Sequence, residues 1–203
     1  MSTSAGATSA RSRKVRAILA GGVVLGVGAA VTLAAWTDQE WAVGEFGAGS
    51  FDIEGSTDGT DFTDHASQGG AATLGFEVGA DNLAPGDTVA APFVLRTDAT
   101  TTYDATVTLT TAIGEGDNAV NLSYGITQVA TAADCVEGAT GTAIVPEGTS
   151  LDSVAGASEF TLTSGDGAAG TPVALCFQVT AGPDLVQGAP GIASWELTAT
   201  SVE

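Results

Sequence analysis

The sequence predicts an all-β protein, a two-sheet antiparallel β-sandwich of jelly-roll type preceded by an N-terminal signal helix. Three observations predict it. Apolar residues recur with period two in run after run beyond residue 70, and clusters of Gly, Pro, Asp and Asn punctuate those runs, while no helical stripe is sustained after residue 36. A basic cluster followed by an uncharged apolar stretch fills the beginning instead.

That beginning reads as an address. Arg11, Arg13, Lys14 and Arg16 precede nineteen uncharged residues, 17–35, after which Trp36-Thr37-Asp38-Gln39-Glu40-Trp41 turns polar. Basic, apolar, small and then polar is the order of a secretory export signal. The small-x-small site Thr32-Leu33-Ala34 puts cleavage between Ala34 and Ala35, so residues 1–34 are read as a signal peptide and a secreted, extracellular or cell-surface protein is expected. Roughly 20 apolar residues also suffice to span a bilayer, so a retained membrane anchor is the alternative, weakened by Gly21, Gly22, Gly26 and Gly28. No Cys lies near the junction for a lipoprotein anchor, and no sorting or lipid-anchor signal is expected after Trp195.

Residues 35–46 follow, with Trp36, Trp41 and Val43 as large apolar side chains in a polar setting, and residues 47–203 are expected to form one β-sandwich domain. The alternating runs are Leu74, Phe76 and Val78; Val89, Ala91, Phe93 and Leu95; Tyr103, Ala105, Val107 and Leu109; and Val120, Leu122, Tyr124 and Ile126. Phe160 and Leu162 continue the series, then Val173, Leu175, Phe177 and Val179, and last Trp195, Leu197 and Ala199. One-sided faces of this kind belong to antiparallel sheets with one side on a core. Pro85-Gly86-Asp87 is the clearest turn, since Pro presets one turn dihedral and Gly supplies the positive one. Residues 149–157 are the one stretch expected to form a short helix.

Charge and cysteines narrow the class further. The chain carries a net charge of −19, with four of its five basic residues in the first sixteen positions and all 24 acidic residues after residue 36. Binding to polyphosphate depends on Lys and Arg replacing counterions, so nucleic acid is excluded as a partner. Such a surface attracts divalent cations and opposes self-association at low ionic strength. Cys135 and Cys176 are the only cysteines and follow an export signal, which predicts a disulfide.

Two motifs carry a family resemblance. Ala34-Ala35-Trp36-Thr37-Asp38, followed by Phe46-Gly47-Ala48-Gly49-Ser50-Phe51-Asp52-Ile53, resembles the start of proteins exported through the dedicated signal peptidase SipW, the group that includes TasA-like matrix fibre proteins and camelysins. Asn82-Leu83-Ala84-Pro85-Gly86-Asp87 is similar to the Leu-x-Pro-Gly-Asp turn of the same group, here Leu83, Pro85, Gly86 and Asp87. The match spans residues 13–96, and the richness in Gly, Ala, Thr and Asp resembles actinobacterial members. The resemblance implies processing by a SipW-type peptidase, then homopolymerisation with residues 35–46 as a donor strand (Ala35, Trp36, Trp41, Val43), with a co-secreted minor fibre subunit as a further partner. Backbone hydrogen bonds would supply affinity there and alternate side-chain pockets specificity.

Chemical sites are sparse. The run from Glu54 to His65 is dense in oxygen ligands, so Asp58, Asp61 and Asp64 are candidate calcium ligands, although the spacing is not that of a helix-loop-helix site and also reads as a solvated acidic turn. Calcium is the one candidate cofactor. His65 is the only histidine, and without a His-Glu-x-x-His helix a camelysin-like zinc peptidase ranks last among the readings. No Gly-x-Ser-x-Gly element surrounds any serine. The expected function is a secreted, non-enzymatic structural subunit of matrix or surface fibres, the alternative being a monomeric β-sandwich that binds a carbohydrate or surface ligand.

Overall fold

The period-two runs become ladders. A computed structural model describes residues 10–31, 39–44, 48–76 and 80–202, in two units, Met1–Phe46 and Gly47–Glu203. In the first unit a 22-residue helix, α1 (Ala10–Val31), covers most of the stretch expected to be a signal peptide. Among the described residues no helix is long and apolar enough to cross a membrane. Residues 39–44 have no regular structure, with Trp41 92% and Val43 91% exposed. The expected cleavage residues Ala34 and Ala35, and Ala35 and Trp36 of the expected donor strand, lie outside the described residues.

In the second unit eight strands form two antiparallel sheets. Strands β1 (Ile53–Ser56), β2 (Thr88–Thr97), β7 (Val173–Ala181), β4 (Leu122–Val129) and β5 (Thr142–Ser150) form one sheet in the order β1-β2-β7-β4-β5. Strands β6 (Phe160–Leu162), β3 (Asp104–Glu115) and β8 (Ile192–Val202) form the other, in the order β6-β3-β8. Inward residues of both sheets meet in the main core, where Leu109, Tyr124, Ile126, Leu162, Leu175 and Phe177 are buried. All-β, two-sheet and antiparallel, the fold is the one the alternation predicts.

Several elements differ from expectation. The five-stranded sheet has a second buried face, where Ala90, Val94, Val129, Ala174 and Cys176 form a small cluster under Phe62, Ala132 and Ala139. Strand β7 is therefore buried on both sides over most of its length, and its sequence runs almost continuously apolar for that reason. The predicted disulfide forms here: Cys135, just after a short 3-10 turn, is bonded to Cys176 of β7 and pins the roof to the sheet. Residues 149–157 form no helix; the chain turns at Ser150 and Ser153 and again at Val154 and Ala157, and Gly156 takes φ +74, which an α-helix cannot contain. Strand β5 lacks the expected signal because Pro146 and Gly148 interrupt its alternation. Leu74 and Phe76 form no strand, Val78 lies outside the described residues, and Val120 sits in a 3-10 turn, 86% exposed.

The topology leaves one position open. A complete jelly roll has two four-stranded sheets, with its first strand beside its last. Here β2-β7-β4-β5 is one such sheet and β6-β3-β8 the other, but β1 has added outside β2, so among the described strands none pairs with the outer edge of β8.

Candidate docking groove

On the side of the sandwich bounded by β1 and β8 the two sheets part. A groove of about 860 Å³ runs between them, floored by Phe93, Leu95 and Phe177, with Ile53 and Gly55 on one wall and residues 192–199 on the other. The third boundary is the connection through residues 64–68, 71–74 and Phe76. Alternation on β8 sets the wall: Trp195, Leu197 and Ala199 pack on the main core, while Glu196, Thr198 and Thr200 face out. Trp195 stacks at a tilt on Phe177 and Tyr124, with ring centroids 5.0 and 5.4 Å apart. Its indole Nε1 is buried with no acceptor in hydrogen-bond geometry, although it lies near enough to the Tyr124 hydroxyl to offset part of a rise in that phenol's pKa. Burial is the larger effect and pushes Tyr124 up to about 12, and the hydroxyl donates to the Ser153 carbonyl at 2.7 Å.

The other wall is polar at its lip. Asp52, Glu54, Asp64 and Glu196 all border the groove. Glu54 is neutralised by Arg96, whose Nε lies 2.6 Å from the carboxylate while its guanidinium covers the Phe62 ring at 3.8 Å. His65 packs edge-on against Phe93, with Nε2 3.2 Å from the Thr63 hydroxyl and Nδ1 buried without a partner. The outer edge of β1 is already partly used, because Gly55 exchanges both backbone hydrogen bonds with Thr63. Among the described residues the outer edge of β8 carries no backbone pairing.

The expected site residues fall in different places. Asp58 closes its own turn, accepting from the backbone N–H of Thr60 and Asp61 and from the Ser56 hydroxyl; the bond from Asp61 does most to hold its carboxyl far below the usual carboxylate range. Among the described residues no group of three or more His, Cys, Asp or Glu could hold a metal, so Asp58, Asp61 and Asp64 are not brought together as a calcium site. In the turn before β2, Asp87 accepts from the Ala84 N–H at 2.8 Å, Gly86 takes φ +93, and Gly86 N–H reaches the Ala181 carbonyl at 2.8 Å. That turn fixes where β2 enters beside β7, and none of Leu83, Pro85, Gly86 and Asp87 lines the groove. The residues that sequence reasoning missed are the β8 edge and residues 71–76. No protein-family model matches this chain, and no curated protein matches it.

Proposed function

We propose that this chain is a secreted, non-enzymatic structural subunit of extracellular matrix or surface fibres, in which residues 35–46 of one copy add as a strand along β8 of the next. The observation that carries this reading is the edge of β8, unpaired among the described residues, beside an apolar groove at the position where a jelly roll would hold one more strand. An incoming strand finds there both a row of backbone donors and acceptors unused among the described residues and pockets for alternate side chains. Trp41 and Val43, two residues apart, would share one face once the segment is extended as a strand, and both are almost fully exposed where they stand. A head-to-tail contact of this kind does not close, so it propagates into a filament. Cleavage between Ala34 and Ala35 by a SipW-type peptidase frees the segment and so starts assembly. The Cys135–Cys176 bond fits an oxidising, extracellular setting.

Electron microscopy with size-exclusion chromatography tests this on oxidised protein starting at Ala35 beside protein starting at Gly47, since the unit Gly47–Glu203 contains all the strands of the described residues and both buried clusters. Filaments from the longer protein and monomers from the shorter are expected. Monomers from both, across salt and calcium, would overturn the reading. They would favour the second one, a monomeric binding module, which the groove's volume supports because small-ligand sites commonly fall in that range.

A further inference from the structure

We propose that residues 71–76 are an autoinhibitory strap, which holds the open strand position beside β8 in the unassembled subunit and is displaced by the N-terminal segment of a second copy. The proposal rests on the fibre reading above for the identity of the displacing segment. Along the strap, Ala72, Leu74 and Phe76 are half-buried while Ala71, Thr73 and Gly75 are exposed, the alternation of a strand with one face on a core. Leu74 and Phe76 pack on the main core and line the groove with β8. Yet the strap makes no ladder. Its backbone bonds among the described residues are local, from Ala71 N–H to Gln68 and from Phe76 N–H to Leu74.

Position in the chain supports the same assignment. The strap precedes β2, and the segment before β2 is the one that would supply the strand beside β8 in a complete jelly roll. It fills the place with side chains alone. Leu74-Gly75-Phe76 and Trp41-Ala42-Val43 share one pattern, a large apolar residue, a small residue and a second large apolar residue, so the donor segment replaces what it removes. It then adds backbone bonds to β8 that the strap does not make. A segment anchored by two large half-buried side chains, Leu74 and Phe76, opens at low free energy compared with a paired strand. Assembly therefore has a threshold: apparent affinity for the donor falls by the fraction of subunits whose strap is closed.

The test compares protein starting at Ala35 with its Leu74→Ser/Phe76→Ser variant, following filament growth by light scattering after confirming cooperative unfolding of both. A weakened strap should shorten the lag or lower the critical concentration by about tenfold. Hydrogen exchange on the unsubstituted protein gives an independent reading. On assembly, amides of residues 192–199 should become protected while those of 71–76 stay fast. An unchanged or longer lag, or protection gained by the strap together with β8, would overturn the proposal, the latter because the strap would itself be the missing strand. If neither protein forms filaments, the fibre reading fails and a labelled peptide of residues 35–45 still decides. Binding about tenfold tighter to the variant supports the strap, and equal binding or none overturns it.

Discussion

The Phe93 ring lies against the bare Cα of Gly55: a Cβ built on that glycine would sit 2.5 Å from the ring's Cζ. Only a residue without a side chain lets β1 and the ring approach this closely. Phe93 floors the groove, so the open space beside it is where the ring would go. Gly55→Ala is therefore expected to swing Phe93 into the groove at a stability cost of about 1–2 kcal/mol, as for a modest overpacking, and to block assembly or peptide binding. Thermal unfolding and the filament assay, run together, separate this from simple misfolding. A variant that assembles normally would show that the groove floor is not used.

The Cys135–Cys176 bond closes 41 residues, which in the chain-entropy picture stabilises the fold by about 4 kcal/mol. Both sulfurs are buried in the cluster on the outer face of the five-stranded sheet, Cys176 at 0% and Cys135 at 8% exposure. Replacing both by Ala is expected to lower the melting temperature by roughly 10 °C. The loss should fall on the roof near Cys135 first. Calorimetry with and without reductant checks the size, and exchange at residues 131–141 checks the place.

Much of this fold was legible because burial on one face writes itself into the sequence with period two, as in Ala105, Val107 and Leu109 of β3. The outer face of β7 was not, since a strand buried on both sides loses its alternation, and only the disulfide hinted that something covered it. The strap misled in the opposite direction. Leu74 and Phe76 alternate as a strand does, and the pattern correctly reports a buried face while saying nothing of whether a ladder partner exists. The groove was illegible for a related reason: an open edge is a property of the whole strand order, and Trp195 and Leu197 read the same whether or not β8 has a second neighbour.

Tyr124 predicts an alkaline limit. Its phenol is 1% exposed, and burial lifts its pKa from 10.0 to about 12. In the unfolded chain the group ionises near the ordinary value, whereas in the fold it stays neutral, so the stability it contributes is complete below pH 10 and is lost as pH rises from 10 to about 12. Tyr124→Phe is expected to flatten that decline. It should also cost about 1–3 kcal/mol at neutral pH, because the Ser153 carbonyl loses its donor. Denaturant unfolding at intervals from pH 7 to 12 reads both effects, and an unchanged alkaline slope in the variant would remove Tyr124 as its source.

Charge sets the last expectation. The lip of the groove carries Asp52, Asp64 and Glu196, Glu54 being already paired with Arg96, while the proposed donor segment brings Asp38, Glu40 and Glu45 in its sequence. Like charges on the two sides slow their encounter, and the repulsion reaches about 30 Å at 0.01 M ionic strength but only about 8 Å at 0.15 M. Filament growth should therefore accelerate by about tenfold over that range and respond to calcium only as strongly as to magnesium at equal ionic strength. Asp64→Asn with Glu196→Gln should raise the low-salt rate and weaken the salt dependence. A response to calcium that magnesium does not reproduce would point instead to a specific cation site, one that the separate positions of Asp58, Asp61 and Asp64 in the fold do not provide.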